Sequence, residues 1–306
     1  MSIDKNSKIY LVLPVLAGVF WGTAGVFVRT LSAYGMDPQT MLFTRVVAAT
    51  LLMGAGLFVY DRELLKIRIK DLGIMFACGV TGTLGLNLCY VRAIEDLSLS
   101  LAAVLLALCP VFVIFMAAVI FKEKLTGKKL FCAALALLGC LLVSGILEAD
   151  GLRWTWPGIF LGLGSAVFYA MYSIVSKITM ERGYGVFTII FYSVFLVAVV
   201  LIPFVDWEIT GQYIGEKTAG HLVFLAGYAL CTSILPYIIF TFALKHAEAG
   251  KVSILASGGE PVAAAIMGML VFAEIPTLLA VAGLIITIAA LAILCYAEEN
   301  ENKEAK

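Results

Sequence analysis

The chain has 306 residues, of which 62% are hydrophobic and 14% charged, and its mean hydropathy is +1.03. Soluble domains contain about 45–50% apolar and about 25% charged residues, so this composition excludes the soluble globular, disordered, collagen-like and secreted disulfide-rich classes and leaves a polytopic membrane protein. The 21 basic residues balance the 21 acidic ones, and this zero net charge gives no support for nucleic-acid binding.

Charged and turn residues divide the sequence into ten apolar stretches. Each is close to the roughly 20 residues that a helix needs to cross about 30 Å of hydrocarbon. Helices are favoured over barrel strands because the apolar runs are continuous rather than alternating. The connection 206–220 is too short to bury a core of its own, and residues 297–306 form a solvated acidic tail. The predicted spans are 9–32, 38–60, 71–94, 98–121, 128–147, 157–178, 186–205, 221–243, 251–273 and 276–296.

The positions of Lys and Arg predict the orientation of these spans. With the N-terminus inside, 16 of the 21 basic residues fall in cytoplasmic segments, and only Arg153 and Lys217 lie in outer loops. Because basic residues are retained on the cytoplasmic side of membranes, both termini are predicted to be cytoplasmic. The first span is longer than the apolar region of a signal peptide and is expected to remain in the protein.

An internal repeat joins the fourth and ninth spans. Segment 110–126 aligns with 261–277 at an offset of 151 residues, with six identities in 17 ungapped positions. Weaker matches relate the first span to the sixth and the third to the eighth. The identical pairs are Pro110/Pro261, Val111/Val262, Met116/Met267, Phe121/Phe272, Glu123/Glu274 and Thr126/Thr277.

These matches predict an all-α fold of two five-helix repeats, 9–147 and 157–296, followed by the tail 297–306. Because five is an odd number, the second repeat begins on the opposite side of the membrane and must be inverted. Inverted repeats are characteristic of transporters, in which two equivalent halves exchange roles to open a central site to either side. A duplicated scaffold that transports nothing is the alternative.

The two halves, the stretch Phe20-Trp21-Gly22 and the paired Pro-x12-Glu-x2-Thr helices resemble the drug/metabolite transporter superfamily, specifically its ten-helix EamA-type members. The second half has Tyr169-Ala170 in place of Trp21-Gly22, so this motif supports one half only. The resemblance implies a plasma-membrane carrier, commonly an exporter of amino acids or related metabolites, with a central cavity between the halves.

The resemblance leaves several functions open. Facilitated and proton-coupled transport are both compatible with the sequence. A sugar-phosphate or nucleotide-sugar carrier of the same superfamily is an alternative substrate class, although such ligands favour several deep basic residues. A non-transporting membrane scaffold or receptor is the alternative of a different class. The expected partners are a small-molecule substrate and the lipid bilayer, without nucleic acid, and the chain is expected to act as a monomer or weak homodimer.

Three prolines, Pro110, Pro236 and Pro261, lie inside predicted spans. A proline inside a helix removes one backbone hydrogen bond and kinks the helix. At membrane depth this is tolerated where protein or a water-filled cavity satisfies the freed carbonyl. We therefore predict hinges beside the cavity at these prolines, with Pro110 and Pro261 as a matched pair of bends. Kinks that only improve packing are the alternative.

Glu260 lies about halfway along the ninth span, where an ionisable side chain by default marks a substrate or proton path. The alternative is a neutral carboxyl that is hydrogen-bonded to a neighbouring helix. Its repeat counterpart is the apolar Cys109. Other polar and aromatic side chains at similar depth complete the predicted substrate site, although Trp and Tyr in membrane helices more often only pack. The predicted substrate-binding residues are Trp21, Asn87, Tyr90, Tyr169, Tyr172, Tyr237 and Glu260.

Three arginines within the spans are predicted to contribute charge to a vestibule. Arg29 and Arg92 lie near outer helix ends, where their side chains can also snorkel to water. Arg45 lies deeper and needs a partner or contact with water. Glu123 and Glu274, at helix ends, are predicted to pair with basic or backbone groups and to be structural.

The sequence gives no basis for enzyme activity, a metal site or a cofactor. Its only histidines, His221 and His246, are predicted at opposite faces of the membrane, so they cannot form one site. No aspartate lies inside a predicted span, which argues against a paired-carboxylate mechanism.

Overall fold

The computed structural model describes residues 7–97, 99–148, 155–273 and 275–304. Within these ranges the chain is helical and forms no strand. The helices are α1 (Ser7–Gly22), α2 (Ala24–Ala33), α3 (Pro38–Tyr60), α4 (Leu72–Gly79), α5 (Leu86–Asp96), α6 (Leu99–Leu106), α7 (Cys109–Ile120), α8 (Gly127–Val143), α9 (Trp156–Glu181), α10 (Val186–Leu201), α11 (Trp207–Glu216), α12 (Thr218–Ala229), α13 (Leu235–His246), α14 (Ala249–Phe272) and α15 (Leu278–Glu304).

Nine segments of the described chain are long and apolar enough to cross a membrane. The protein is thus an all-helical, multi-pass membrane protein. The predicted fifth span corresponds to α8, which has 17 residues and is slightly shorter than the others. The count of ten spans and the cytoplasmic position of both termini stay predictions. We call the end of the bundle that contains residues 33–37 and 275–277 the outer end, following the predicted orientation, and the opposite end the inner end.

The third and eighth spans each contain a short π-helical segment, Val80–Gly85 between α4 and α5 and Leu230–Ile234 between α12 and α13. The two segments are related by the repeat offset. In both, a threonine hydroxyl donates to the carbonyl oxygen four residues earlier, at 2.7 Å for Thr81 and 2.7 Å for Thr232. A π turn replaces the regular i→i−4 hydrogen bonds and is frequent at functional sites. The sequence analysis did not predict these segments.

The predicted hinge prolines have three different backbone settings. Pro110 lies in the first turn of α7, directly after a break in the fourth span at residues 107–108. Pro236 lies in the first turn of α13, immediately after a π segment. Pro261 lies inside α14, which continues past it without interruption. The repeat-related pair Pro110 and Pro261 therefore does not produce matched helix breaks.

Helices α1 and α14 approach each other closely through glycines. A Cβ atom on Gly18 would overlap the carbonyl oxygen of Ala256. One on Gly22 would lie 2.5 Å from the carbonyl oxygen of Glu260, and one on Gly259 would lie 2.6 Å from the carbonyl oxygen of Val15. Small residues permit such contacts between membrane helices. The backbone around Glu260 is therefore packed directly against the C-terminal end of α1.

The predicted polar connection 206–220 contains an additional helix at the outer end, α11. Its N-terminus is capped by Asp206, whose carboxylate accepts a hydrogen bond of 3.0 Å from the backbone N–H of Ile209. Tyr213 of α11 stacks on His221 with ring centroids 4.0 Å apart. The segment thus folds against the bundle, although it is too short to form a core of its own.

Substitution of Gly22 by alanine is expected to reduce stability by about 1–3 kcal/mol, the usual cost of overpacking a tight contact. The matched control is Gly25→Ala, because a Cβ atom there meets no atom within 4 Å. Thermal unfolding of the purified protein in detergent measures the difference. Equal melting temperatures for the two variants would show that the contact between α1 and α14 tolerates a side chain.

Candidate functional site

A cavity of about 570 Å³ extends into the bundle from the outer end. We call it the central cavity. Ser32, Pro38 and Glu95 are exposed around its mouth. Residues from both halves of the chain supply its walls. The predicted site residues that line it are Trp21, Arg45, Asn87, Tyr90, Tyr169, Tyr237 and Glu260.

An aromatic cluster forms one wall of the central cavity. The Trp21 ring lies 5.7 Å from that of Tyr169 and 5.3 Å from that of Tyr237, both in edge-to-face geometry. Tyr172 packs behind this wall, with its ring 5.1 Å from that of Tyr237. Its hydroxyl lies 2.8 Å from the Thr241 hydroxyl, and its side chain is 1% exposed. Tyr172 therefore supports the wall without lining the cavity.

The π segment of the first half supplies backbone acceptors to this wall. The Tyr237 hydroxyl donates to the carbonyl oxygen of Gly82, which joins the second half to the first. The Asn87 amide donates to the carbonyl oxygen of Thr83 at 2.6 Å. The irregular backbone is thus satisfied by side chains at the cavity, as membrane depth requires.

Glu260, halfway along α14, is partly buried and lines the central cavity. In the described parts of the chain, no donor or cation pairs with its carboxylate. The sequence also allowed a Glu260 carboxyl that is hydrogen-bonded to a neighbouring helix. Among the described residues, Glu260 forms no such hydrogen bond.

Arg45 of α3 lines the same cavity, with its Cζ atom 5.6 Å from the centroid of the Tyr228 ring. Its Nε is buried and lacks a hydrogen-bond partner among the described residues. Inside the central cavity, Glu260 and Arg45 are therefore not paired with each other, and Glu95 is a second acidic side chain at its mouth.

A second cavity, of about 700 Å³, lies on the other side of Glu260. We call it the side cavity. Its walls come largely from α6, α8, α14 and α15, and its mouth lies at the outer end, where Arg29, Glu148 and Thr277 are exposed. The two cavities adjoin at four residues that line both of them, which we call the partition. These residues are Tyr90, Leu106, Tyr169 and Glu260.

The remaining predicted arginines lie at the outer end. Arg29 lines the side cavity, with its Cζ atom 4.6 Å from the centroid of the Phe272 ring. Arg92 is exposed, and its Nε lies 3.9 Å from a carboxylate oxygen of Glu95. Arg92 lines neither cavity.

Sequence comparisons identify the family. The model of the EamA-like transporter family matches residues 8–145 and 156–296, which together cover most of the chain. The chain belongs to the EamA-like transporter family. The resemblance seen in the sequence is thereby confirmed, and this is a family of transporters rather than enzymes.

Two relatives are similar to this EamA-like transporter in sequence, and one solved structure is similar in fold. An uncharacterized transporter from Archaeoglobus fulgidus is 26% identical over 268 residues, covering 86% of this chain and 88% of its own. A probable terminal-alkyne amino-acid exporter from Streptantibioticus cattleyicolor is 26% identical over 208 residues, covering 68% of this chain and 67% of its own. A crystal structure with 16% identity and a TM-score of 0.73, which covers 93% of this chain and 96% of that one, shows the same fold.

At the inner end of the EamA-like transporter, Glu123 connects the two halves. One carboxylate oxygen lies 2.9 Å from the Lys177 ammonium and accepts a hydrogen bond of 2.9 Å from the backbone N–H of Ala249. The other accepts a hydrogen bond of 3.4 Å from Gly250. Glu123 thus caps the N-terminus of α14, where a negative charge is favourable. The predicted structural role of its repeat counterpart, Glu274, falls outside the described residues.

Lys129 makes a second contact between the halves. This lysine is 3% exposed, and its ammonium lies 2.7 Å from a carboxylate oxygen of Glu248 and 2.9 Å from the carbonyl oxygen of Lys124. Burial acts to raise the pKa of Glu248, but the nearby ammonium groups of Lys129 and Lys251 outweigh it and lower that pKa. The sequence analysis identified Glu123 and did not identify Lys129.

Among the described residues, no cluster of three or more His, Cys, Asp or Glu side chains could hold a metal ion. The two histidines lie far apart, His221 against Tyr213 at the outer end and His246 against Tyr10 at the inner end.

Substitution of Glu123 by alanine is expected to loosen the inner end, because it leaves Lys177 and the N-terminus of α14 without their acceptor. The reporter is Ala247→Cys, since Ala247 lines a cavity at the inner end. Its labelling rate by a polar maleimide, in a chain whose other cysteines are replaced, is expected to rise. Glu181→Ala is the control, because Glu181 lines the same cavity without capping α14. Equal labelling rates in both variants would contradict this role of Glu123.

Proposed function

We propose that this transporter works by alternating access and exports amino acids or related small zwitterionic metabolites across the plasma membrane. The observation that carries the proposal is the pair of opposite charges, Arg45 and Glu260, lining one cavity of about 570 Å³. Neither side chain has an ion-pair partner in the described parts of the chain.

An amino acid presents a carboxylate and an ammonium on one carbon atom, and the central cavity offers a partner for each. The Arg45 guanidinium suits a carboxylate, which it can bind through two parallel hydrogen bonds. The Glu260 carboxylate suits the ammonium. Unpaired charge at membrane depth is costly, so a zwitterion bound between the two side chains would relieve both. The faces of Trp21, Tyr90 and Tyr169 add apolar surface and attract cations.

The transport cycle that we propose uses the two repeats, 9–147 and 157–296, as the moving halves. In the present conformation the central cavity opens at the outer end, and Glu123 and Lys129 join the halves at the inner end. Exchange of roles between inverted repeats would break these inner contacts and close the outer mouth. Because one chain contains both halves, a monomer is sufficient for the cycle, and a weak homodimer is equally compatible with it.

Two further points bear on the substrate class. The relative from Streptantibioticus cattleyicolor is named as a probable amino-acid exporter, which supports amino acids and export. A sugar phosphate or nucleotide sugar would carry at least one phosphate, which favours several converging cations. Among the described residues that line the central cavity, Arg45 is the one cation. The amino-acid class is therefore preferred.

The test compares ligands that lack one charge with variants that lack one partner. Native protein should be stabilised against heating by zwitterionic amino acids, since a ligand that binds the folded state raises its apparent stability. Removal of either charged partner should weaken amino-acid binding at least about 30-fold, from the roughly 2 kcal/mol or more that such a loss costs. Arg45→Gln should still bind the decarboxylated amine as well as native protein does, whereas Glu260→Gln should still bind the N-acetylated acid.

Arg92→Gln and Glu181→Gln are the matched controls, because they remove the same charges outside the central cavity. Both should bind amino acids like the native protein. The same variants, reconstituted in proteoliposomes, link binding to flux. The proposal fails if amino acids do not stabilise the native protein, or if both cavity variants bind them normally.

A further inference from the structure

We propose that the side cavity is a separate route for water and protons to Glu260, so that this carboxyl exchanges its proton with the outer solution while substrate occupies the central cavity. This inference rests on the proposed function for the identity of the substrate. The proton route itself follows from the geometry around Glu260.

Glu260 lies between the two cavities and lines both. On α14, Ser257, Pro261, Ala264 and Ala265 all line the side cavity, whereas Glu260 is the one described α14 residue that also lines the central cavity. The face of α14 that carries these four residues therefore borders the side cavity. The Glu260 carboxyl lies at the edge of that face, next to the central cavity. A ligand in the central cavity would cover this carboxyl from one side only.

Polar side chains lie at both ends of the side cavity. At its mouth are the exposed side chains of Arg29, Glu148 and Thr277, with Ser144 close by, and Ser257 lies one helical turn before Glu260 at its base. A buried water molecule needs about two to four polar partners. Thr277 donates to Glu148 at 2.9 Å, and Ser144 donates to the Leu141 carbonyl oxygen at 2.8 Å. Their oxygens and the Glu148 carboxylate can still accept hydrogen bonds from water at the mouth, and Ser257 and Glu260 offer polar groups at the base of the cavity. Its volume of about 700 Å³ accommodates many water molecules.

Other charged and titratable groups lie near Glu260. Arg45 lines the central cavity, and Arg29 lines the side cavity. Among the described residues, the titratable groups that the surrounding helices place close to Glu260 are phenols and thiols, which are neutral near pH 7. No other carboxyl lines the partition among the described residues, so Glu260 is the proton acceptor there. The phenols and thiols are Tyr90 of α5, Cys109 of α7, Cys140 of α8, Tyr169 of α9 and Tyr237 of α13.

The chemical step is a proton transfer. The Glu260 carboxylate accepts a proton from a hydronium ion in the side cavity and leaves a water molecule, and the reverse step returns the proton. Only the ionised carboxylate attracts a substrate ammonium. Protonation through the side cavity would therefore weaken the binding of an amino acid in the central cavity. The proton would not need to pass the bound amino acid to reach Glu260. A shared route would force the proton to wait until the substrate had left.

Cys140 provides a test in the full-length protein, because this native thiol lines the side cavity and not the central one. In a chain with the other six cysteines replaced, a bulky methanethiosulfonate attached to Cys140 would obstruct the side cavity. Glu260 protonation is followed by infrared difference spectroscopy after a pH jump, with the carboxyl band assigned by its absence in Glu260→Gln. This readout requires neither transport nor a correct choice of substrate.

We expect obstruction at Cys140 to slow proton exchange at Glu260 at least about tenfold, which corresponds to about 1.4 kcal/mol in activation free energy, while amino-acid binding is unchanged. The reciprocal control is Ala24→Cys in the same background, because Ala24 lines the central cavity alone. Its label should block amino-acid binding and leave proton exchange unaffected. Ala280→Phe, in an otherwise native chain, obstructs the side cavity without chemical labelling and should reproduce the Cys140 result.

Three results would overturn the inference. Proton exchange that stays fast after Cys140 is labelled shows that protons do not use the side cavity. Protection of Cys140 from labelling by bound amino acid shows that the two cavities are one site. Loss of amino-acid binding on labelling of Cys140 shows that the side cavity belongs to the substrate site. If amino acids do not bind even the native protein, the proposed function fails, whereas the effect on proton exchange can still be measured.

Discussion

The site depends on the backbone contact between α1 and α14. Gly18, Gly22 and Gly259 allow the two helices to approach until carbonyl oxygens lie where side chains would otherwise be. This contact fixes the height and rotation of α14, and with them the position of Glu260 between two cavities. It also places Trp21, the residue before Gly22, against the aromatic wall of the central cavity. A wider separation of the helices would leave Glu260 facing a broad gap.

Close packing between some pairs of helices leaves room for cavities between other helices. Gly139 and Gly283 play the same part for α8 and α15, where a Cβ atom on Gly283 would lie 2.6 Å from the Gly139 carbonyl oxygen. These two helices pair tightly and form the outer wall of the side cavity together with α14. Two helix pairs, α1 with α14 and α8 with α15, are therefore held at close distance by glycines, and Glu260 lies beside the cavity that α8, α14 and α15 enclose.

Much of this organisation could be predicted from the sequence, because membrane depth restricts what a residue can be. Continuous apolar runs predicted the helices, and the rarity of deep charge singled out Glu260 and Arg45, which line one cavity. The π segments could not be predicted in this way, since Val80–Gly85 has an ordinary apolar and small-residue composition. Their geometry depends on tertiary partners such as Tyr237, which donates to Gly82 from the other half. The side cavity is also a tertiary feature, because no sequence pattern shows that α14 lies between two open volumes.

The internal repeat relates Glu260 of the second half to an uncharged residue of the first half. The repeat counterpart of Glu260 is Cys109, which is 1% exposed and lies 3.7 Å from the Ser253 hydroxyl through its sulfur. If the two halves exchange roles, the position equivalent to the Glu260 partition in the opposite conformation has a thiol in place of a carboxylate. The chain contains the same charged residues in both conformations, but a carboxylate occupies this position in one conformation and a thiol occupies the equivalent position in the other. If Glu260 binds a cationic substrate group as proposed, this asymmetry gives that group a different affinity on each side of the membrane, whereas the direction of net transport is set by the gradients of the substrate and of any coupled proton.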